Sequence, residues 1–398
     1  MVTNGLVALG VGITSLLVGA GGAAAVEPDF DIEVPYGFVG PLSLQDMRLF
    51  AVDRMTMTRL FSSDAGRTWK KAGPLVDSKG RRTREQRGRM PSLIRLASGA
   101  IALKYDIPSS ADTSMLNSYI TRSTDEAATW SEPVLITRPR SRSNATWLIQ
   151  THIGRLVLPT EYWFTQPDDC GIGICTTFYS DDEGRSWRES RDALWVLEKG
   201  GAWQGACEVS TVVETSDGRL LMFMRTWYQP IVQSCSKDGG QTWSPARLND
   251  LLSSNSEIFL ARIPKTDHLL CIWNHADTEE IQTGFYRARL TAAISKDSGA
   301  SWINFCTIIQ SPGQKQIGRI SPAGPPGFLR TPMAVPAEES TLAEEFHMNR
   351  EPRIHFVGQH AFVRYTHRRY KYVDGKLKRL RNQTRLRVIP TDWFYERN

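Results

Sequence analysis

Three arginines and two carboxylic acids occupy comparable places beside strand-like runs of this 398-residue chain. Arg89 precedes a first run and Glu208 begins one. Arg225 ends a second run and Arg287 starts a third, while Asp112 stands in a loop between a second and a third run. A guanidinium group is planar, permanently charged and shaped to bind a carboxylate. A carboxylic acid can protonate the oxygen of a glycosidic bond. These residue types therefore suit the binding and cleavage of an acidic sugar.

The places of these residues are set by a repeat that ends in the pattern Ser-x-Asp-x-Gly-x-Thr/Ser-Trp. Five copies occur, the second with Ala127 in place of glycine, and neighbouring aspartates are 56 to 61 residues apart. The five aspartates are Asp64, Asp125, Asp182, Asp238 and Asp297. In each copy the aspartate can accept hydrogen bonds from its own turn, and the tryptophan supplies a ring to bury. Five such turns at one long period predict a repeat architecture in which the boxes stabilise the units.

Each of the first five units contains three short apolar runs before its box, and a sixth unit, from Pro352 to Ile389, has such runs without a box. No part of the chain shows a sustained helical period. In the second unit these runs are residues 91–96, 100–105 and 118–122. Short runs joined by Ser-Gly or Asp-Gly turns are typical of antiparallel sheet. Six units of four strands predict an all-β protein, a six-bladed β-propeller of four-stranded antiparallel blades over residues 34–396. Residues 311–348 are expected to connect the fifth and sixth blades.

Strand direction assigns the residues of each unit to one of two faces. If first strands start at one face, called the top, then second strands end there and third strands start there. The box turns, which follow the third strands, must then lie at the bottom. The five charged residues introduced above share the top phase and come from three blades. The repeat therefore predicts a concave anion-binding site at the top of the propeller.

The boxes resemble the Asp-box, or BNR, repeat of the sialidase (neuraminidase) superfamily, and Arg89-Met-Pro91 resembles the Arg-Ile-Pro signature of that family. The resemblance implies that Arg89, Arg225 and Arg287 bind the substrate carboxylate. It implies that Asp112 is the acid/base and that Glu208 activates the nucleophile. It also implies an exo-acting glycoside hydrolase that removes terminal sialic acid, or a related acidic sugar, from glycoconjugates without a metal or organic cofactor.

The nucleophile is the point where this chain departs from the family pattern. Family members carry a tyrosine at the start of the last blade, where this chain has Glu351 in Arg350-Glu351-Pro352. An anionic attacker is repelled by an acidic substrate, and Tyr365 in the neighbouring second strand is an alternative. A replacement nucleophile, a shifted tyrosine and lost hydrolysis all remain open. The alternative functions are a non-catalytic acidic-glycan-binding propeller and another acidic-polysaccharide-cleaving enzyme on the same scaffold.

The bulk composition is that of a soluble globular protein with a sizeable core. The net charge of +6 suits an acidic small substrate and is too diffuse to indicate nucleic acid. Much of the excess lies between residues 364 and 387, and this basic run is interpreted as a solvated strand face. The histidines and cysteines show no zinc spacing, so no metal is expected. Pairing of Cys170 with Cys175 is left open.

Residues 1–26 contain an apolar stretch that ends in small residues, which is typical of a secretory signal peptide. The protein is therefore expected to be exported to the periplasm or the extracellular space. We expect a monomer without stable membrane insertion once the leader is removed. The stretch has no lysine or arginine before its apolar part, so a short membrane anchor and a misassigned start codon remain alternatives.

Overall fold

Each Asp-box folds into a turn that joins the third and fourth strands of a blade. In the first copy the Ser62 hydroxyl donates a hydrogen bond to Asp64 at 2.7 Å, and Asp64 accepts from the hydroxyl and amide of Thr68 at 2.6 and 2.9 Å. Gly66 has a φ of 90°, which glycine adopts without steric cost. The hydrogen bonds from Thr68 and Ser62 lower the pKa of Asp64 to about 2. The box is therefore a self-contained turn whose aspartate is occupied by its own neighbours.

The computed structural model of the protein consists of six antiparallel sheets arranged as a six-bladed β-propeller, so the predicted fold class is confirmed. It describes residues 29–82, 88–110, 115–137, 142–164, 172–196, 207–226, 230–282, 285, 287–314, 345–373 and 376–396. The predicted leader, Asp112 and Cys170 lie outside these residues. Residues 345–348 belong to a strand, so the predicted connection between the fifth and sixth blades ends earlier than expected.

The first strand, β1 (Phe30–Val34), belongs to the last blade. Blade 1 consists of β2 (Phe38–Ser43), β3 (Leu49–Asp53), β4 (Thr58–Ser62) and β5 (Lys70–Pro74). Blade 2 consists of β6 (Arg89–Arg95), β7 (Ile101–Pro108), β8 (Leu116–Ser123) and β9 (Val134–Thr137). Blade 3 has five strands: β10 (Arg142–Ala145), β11 (Ile149–Gln150), β12 (Leu156–Phe164), β13 (Ile172–Ser180) and β14 (Arg188–Glu189). Both β10 and β11 pair with β12, so the inner strand of blade 3 is divided in two.

Blade 4 consists of β15 (Glu208–Glu214), β16 (Leu220–Arg225), β17 (Pro230–Ser236) and β18 (Arg247–Leu252). Blade 5 consists of β19 (Phe259–Arg262), β20 (Leu269–Trp273), β21 (Leu290–Ser295) and β22 (Ile303–Ile309). Blade 6 contains β23 (Glu345–Val357), β24 (His360–Val373) and β25 (Lys376–Pro390). The described helices are α1 (Thr278–Gln282) and a 3₁₀ helix, η1 (Thr391–Tyr395). Within the described residues, no helix is long and apolar enough to cross a membrane.

The ring is closed by the start of the chain. Strand β1 pairs antiparallel with β25, from Phe30 opposite Val388 to Val34 opposite Thr384, and so becomes the outer strand of blade 6. This pairing joins the two ends of the propeller through backbone hydrogen bonds. The propeller therefore begins four residues before the predicted boundary at residue 34.

The hydrophobic core lies between the blades. One cluster of buried side chains fills each of the six interfaces between neighbouring blades, and the box tryptophans Trp130, Trp243 and Trp302 are buried in three of them. Burial of a large aromatic ring stabilises such an interface by several kcal/mol. The boxes thus contribute to the packing of one blade against the next.

The boxes lie on the face opposite to Arg89. Arg89 begins β6 and Arg95 ends it, and the Arg95 guanidinium donates to Glu126 of the second box at 2.8 and 2.9 Å. A strand of seven residues spans roughly 20 Å, so the box and Arg89 stand at opposite ends of blade 2. The predicted assignment of boxes to the bottom face is confirmed. The top face is therefore free for a binding site.

Candidate functional site

A cavity of about 240 Å³ opens at the top of the propeller, lined mainly by residues of blades 1, 2 and 6, with Trp147 from blade 3 and Glu257 from the start of blade 5. Its lining includes four arginines and two glutamates: Arg54, Arg89, Arg353, Arg364, Glu257 and Glu351. His355 also lines it, and burial and the charge of Arg353 lower the pKa of His355 to about 3, so this ring is neutral at pH 7. The lining therefore carries two more positive than negative charges, which favours a bound anion.

Three bulges shape the cavity. The dipeptides Gly40-Pro41, Met90-Pro91 and Glu351-Pro352 lie in the inner strands of blades 1, 2 and 6, and the pairing register shifts at each of them. The residue before each proline has a positive φ of 130°, 41° and 57° respectively. A bulge bends its strand and redirects side chains, and strained backbone of this kind is concentrated at functional sites. Met90 and Glu351, which lie at two of these bulges, both line the cavity.

A buried ion pair supports the bulge that carries Arg89. The Lys104 ammonium donates to the carbonyl of Met90 at 3.0 Å and to the carboxylate of Asp106 at 2.8 Å. Asp106 also accepts a hydrogen bond from the Ser118 hydroxyl at 2.7 Å. Burial lowers the pKa of Lys104, although the Asp106 carboxylate opposes this effect. The pair therefore holds the backbone next to Arg89 in place.

Glu351 is held as a carboxylate on the wall of blade 6. The Thr366 hydroxyl donates a hydrogen bond to Glu351 Oε2 at 3.0 Å. Burial alone would raise the pKa of Glu351, but the charges of Arg364 and Arg350 outweigh it and lower this pKa to about 2. Glu351 is therefore negatively charged across the physiological range.

The opposite part of the cavity combines a second carboxylate with aromatic rings. Arg353 forms an ion pair with Glu257 at 2.7 Å. The same guanidinium lies 5.9 Å from the ring centroid of Trp147 and 5.7 Å from that of Phe259. Such cation–π contacts orient a guanidinium while leaving an apolar surface beside it. Charged groups and Trp147 together offer the mixed surface that a sugar ring with a carboxylate requires.

Arg225 and Glu208 form a buried pair in blade 4. Arg225 donates to Glu208 Oε2 through Nη2 and, at 2.9 Å, through Nε. Burial lowers the pKa of Arg225, but the charges of Glu208 and Glu161 outweigh it and raise this pKa. The charge of Glu257, which lines the cavity, acts on Arg225 in the same direction. Neither Arg225 nor Glu208 is among the residues that line the cavity.

Arg287 is also on the top face but is turned away from open space. It is 6% exposed, and its Nε donates to the carbonyl oxygen of Asn255 at 2.7 Å. Asn255 is two residues before Glu257, which lines the cavity. Arg287 therefore contacts the segment that carries Glu257 but does not itself line the cavity. Of the three predicted carboxylate-binding arginines, Arg89 lines the cavity, whereas Arg225 and Arg287 do not line it and are engaged by Glu208 and the Asn255 carbonyl.

Tyr365 points away from this cavity. Its hydroxyl donates to Asp31 Oδ2 at 2.9 Å, and its ring is part of the core between blades 5 and 6. Burial, with the charge of Asp31, raises the pKa of Tyr365. Tyr365 lines a separate cavity with His347 and His367, while Glu351 lines the arginine-rich one. The two candidate nucleophiles are therefore on different sides of blade 6.

Several lining residues were not identified from the sequence. These are Arg54, Trp147, Glu257, Arg353 and Arg364. Arg54 follows the second strand of blade 1, a position comparable to that of Arg225 in blade 4. Glu257 precedes the first strand of blade 5, a position comparable to that of Glu208. Applying these positions to all six blades would have found both. Arg353 carries no such signal because it follows the bulge in its strand, and Arg364 carries none because β24 continues nine residues past it to Val373.

A family model described as BNR repeat-like domain matches residues 54–346, most of the chain. The chain belongs to the BNR repeat-like domain family. No curated protein matches its sequence. Among solved structures, this BNR-repeat protein is similar to a protein of unknown function from Dyadobacter fermentans, with 15% identity, a TM-score of 0.58 and coverage of 91% of this chain and 98% of that one.

Two sialidase-type enzymes have the same fold as the BNR-repeat protein. The intramolecular trans-sialidase from Ruminococcus gnavus, solved with oseltamivir carboxylate, is 13% identical with a TM-score of 0.54, and the match covers 91% of this chain and 96% of that one. The NanB sialidase from Streptococcus pneumoniae is 12% identical with a TM-score of 0.53, and the match covers 91% and 70%. At this identity the likeness shows a shared fold, and function must be argued from the site.

Proposed function

We propose that this BNR-repeat protein is an exo-acting glycoside hydrolase that removes terminal sialic acid, or a related acidic sugar, from glycoconjugates. The observation that carries the proposal is the cavity in which four guanidinium groups surround two carboxylates. An excess of guanidinium charge in a concave, partly apolar site favours a sugar that bears a carboxylate. Two carboxylates in the same cavity favour chemistry at a glycosidic bond.

In this proposal Arg89 binds the substrate carboxylate together with Arg54, Arg353 and Arg364. Arg225 and Arg287 support the site from behind. Trp147 packs against the sugar ring. Because these groups offset the negative charge of the substrate, a second carboxylate can approach the anomeric carbon at reduced electrostatic cost.

We assign the attack on the anomeric carbon to Glu351, because it lines the cavity that Tyr365 does not reach. Asp112 would donate a proton to the leaving oxygen as the glycosidic bond breaks, which leaves a glycosyl ester on Glu351. Asp112 would then take a proton from water as that water cleaves the ester, and the sugar would be released with retention. Glu208, held by Arg225, would orient the groups around the reacting carbon.

Binding without turnover is the second candidate function. It is favoured by the state of Glu351, whose carboxylate is engaged by Thr366 and stabilised by arginines to a pKa of about 2. A carboxylate so strongly stabilised is a weak nucleophile. In this alternative the arginines would hold a terminal acidic sugar for recognition, and Glu351 would compete with the sugar for them.

The two functions differ in turnover but share carboxylate binding. Purified protein is incubated with fluorogenic α-sialosides, and free sialic acid is titrated in parallel by calorimetry. Release of fluorophore that Asp112→Asn and Glu351→Gln abolish, and Tyr365→Phe does not, supports the hydrolase. Binding of the free acid without release from any acidic glycoside supports the recognition role, and absence of both contradicts the proposed site.

We further propose that residues 1–26 direct export, which would bring the propeller to extracellular glycoconjugates. The proposal rests on the apolar run and the small residues that end it. Mass measurement of the mature N-terminus from expressing cells tests it. A mature protein that retains Met1 would contradict it.

A further inference from the structure

Blade 6 is longer than the other blades, and its extra length rises from the arginine-lined cavity. Its strands β23, β24 and β25 have 13, 14 and 15 residues. Pairing of β23 with β24 continues from Arg350 opposite Thr366 to Glu345 opposite Lys371. Six further residue pairs extend the sheet by roughly 20 Å beyond Glu351. We call residues 345–350, 366–373 and 376–383 the blade 6 extension.

The blade 6 extension is strongly basic. The lysines and arginines whose side chains are described are Arg350, Arg368, Arg369, Lys371, Lys378, Arg379 and Arg381, and the described carboxylate is Glu345. Among these cations, Arg369 forms an ion pair with Glu345 at 2.5 Å and Arg381 forms one with Glu33 at 2.6 Å. The described part of the extension therefore keeps a large positive excess next to a cavity that is itself positive.

Arg364 and Arg368 stand on the same face of β24, because alternate residues of a strand share a face. Arg364 lines the cavity, and Arg368 lies four residues, or roughly 13 Å, further along the strand. The Nε atoms of both are buried and lack a hydrogen-bond partner among the described residues. These Nε atoms are out of reach of a ligand, but Arg364 lines the cavity and Arg368 is partly exposed. The charge of both guanidinium groups can therefore act on a bound anion.

Arg350 connects the cavity to the extension. Its pKa is lowered by burial and by the charge of Arg368, while the charge of Glu351 opposes the shift. The charges of Glu257 and Arg225 also act on it. Arg350 lies opposite Thr366, which stands between Arg364 and Arg368 on the same face of β24, so the three arginines follow one another from the cavity onto the blade 6 extension.

We infer that this line continues the sugar-binding site and that the substrate is a polyanionic glycan, in which the sugar next to the terminal one also carries a carboxylate. The inference rests on the proposed function, because it places the terminal sugar in the arginine-lined cavity. The acid group of the second sugar would then bind Arg368 on the extension. A neutral leaving group would leave Arg368 without a ligand.

The cavity favours a glycan over the other polyanions. A single concave pocket flanked by Trp147 and Tyr36 suits one terminal sugar ring. Single-stranded nucleic acid needs a series of aromatic platforms, and a membrane surface needs apolar groups beside the basic ones. The exposed run of the extension, residues 378–382, contains one apolar side chain, Leu380.

The test compares binding of N-acetylneuraminic acid with binding of its α2,8-linked trimer. Because the proposed function predicts that wild type cleaves the trimer, both are titrated by calorimetry into Asp112→Asn protein, alone and combined with Arg368→Gln, Arg368→Lys or the matched control Arg188→Gln. Arg188 is an exposed arginine on the outer strand of blade 3. Chromatography confirms that the trimer is intact after each titration, and melting temperatures confirm that each variant is folded.

We expect Asp112→Asn protein to bind the trimer at least about tenfold more tightly than the monomer, since one charge-assisted hydrogen bond is worth this much. Arg368→Gln should remove most of that advantage and leave monomer affinity within about twofold. Arg368→Lys should retain part of it, and Arg188→Gln should change neither affinity. The advantage should also shrink with added salt.

Three results would overturn the inference. The first is a trimer that binds no more tightly than the monomer while the monomer binds normally, which would leave the proposed function intact. The second is an equal loss of both affinities in Arg368→Gln. The third is duplex DNA or phosphatidylserine vesicles binding as tightly as the trimer and depending on Arg368 in the same way. Failure of the monomer itself to bind would instead contradict the proposed function.

Discussion

The hydroxyl of Tyr365 donates a hydrogen bond to the carboxylate of Asp31 at 2.9 Å, and this contact ties the middle of β24 to the strand that closes the ring. Asp31 also accepts hydrogen bonds from Arg385 and Arg387 at 2.9 and 3.0 Å. Tyr365 therefore belongs to a polar network at the edge of blade 6. This network joins the first and last strands of the propeller.

Replacement of Tyr365 by phenylalanine should affect stability and leave the site unchanged. Asp31 keeps its two arginine partners, so we expect a loss of about 1 kcal/mol in the free energy of unfolding. Urea denaturation measures that loss. Turnover or sugar affinity should stay within about twofold of wild type. A large loss of activity in a variant of unchanged stability would show that the phenol takes part in the reaction.

Glu351 should contribute to stability in a pH-dependent manner. Its pKa falls from 4.5 in the unfolded chain to about 2 in the folded protein, so its contribution is fully present above about pH 5 and is lost as pH falls toward 2. The difference in unfolding free energy between wild type and Glu351→Gln should therefore be constant near neutral pH and shrink below pH 4.5. Urea denaturation at a series of pH values measures it. A difference that does not change with pH would contradict the lowered pKa.

The box aspartates should stabilise the fold without affecting ligand binding. Asp182 accepts hydrogen bonds from the amide and hydroxyl of Ser186 at 2.9 and 2.6 Å. We expect Asp182→Ala to cost about 1 to 3 kcal/mol in unfolding free energy. The matched control is Asp181→Ala, which removes an exposed ion pair with Arg155 and should cost under about 1 kcal/mol. Equal effects of the two substitutions would contradict the structural role of the box.

Arg225 and Glu208 should behave as a coupled pair. Removal of Arg225 leaves a buried carboxylate uncompensated, so Arg225→Leu is expected to cost about 3 to 5 kcal/mol. The double variant Arg225→Leu, Glu208→Leu should recover at least half of that loss. A double-mutant cycle by chemical denaturation measures the coupling. Additive losses would show that the two side chains are independent.

The fold was predictable because its signals are local. Each box makes its own hydrogen bonds, so five copies of one pattern determine five turns and, through their spacing, the blades between them. Closure of the ring was harder to predict. Strand β1 has no box and pairs with residues more than 300 positions away, so nothing in its own sequence assigns it to blade 6.

The site was only partly predictable, because bulges change strand phase. A shift of one residue moves a side chain to the other face of a sheet. Arg364 faces the cavity and Tyr365 faces blade 5, although the two are adjacent and only Tyr365 drew attention as a candidate. Arg89 was identifiable since it precedes its bulge, whereas Arg353 follows one. The position of residues within the repeat therefore predicted which face of the propeller carries the site, but it identified only some of the residues that line the cavity.

The central claim is that the cavity recognises a carboxylate, and one comparison tests it most directly. Wild-type protein is titrated with N-acetylneuraminic acid and with its methyl ester, which removes the negative charge and little else. We predict that the acid binds at least about tenfold more tightly than the ester and that Arg89→Gln removes most of this difference. Equal affinities for acid and ester, or binding of neither, would contradict the claim.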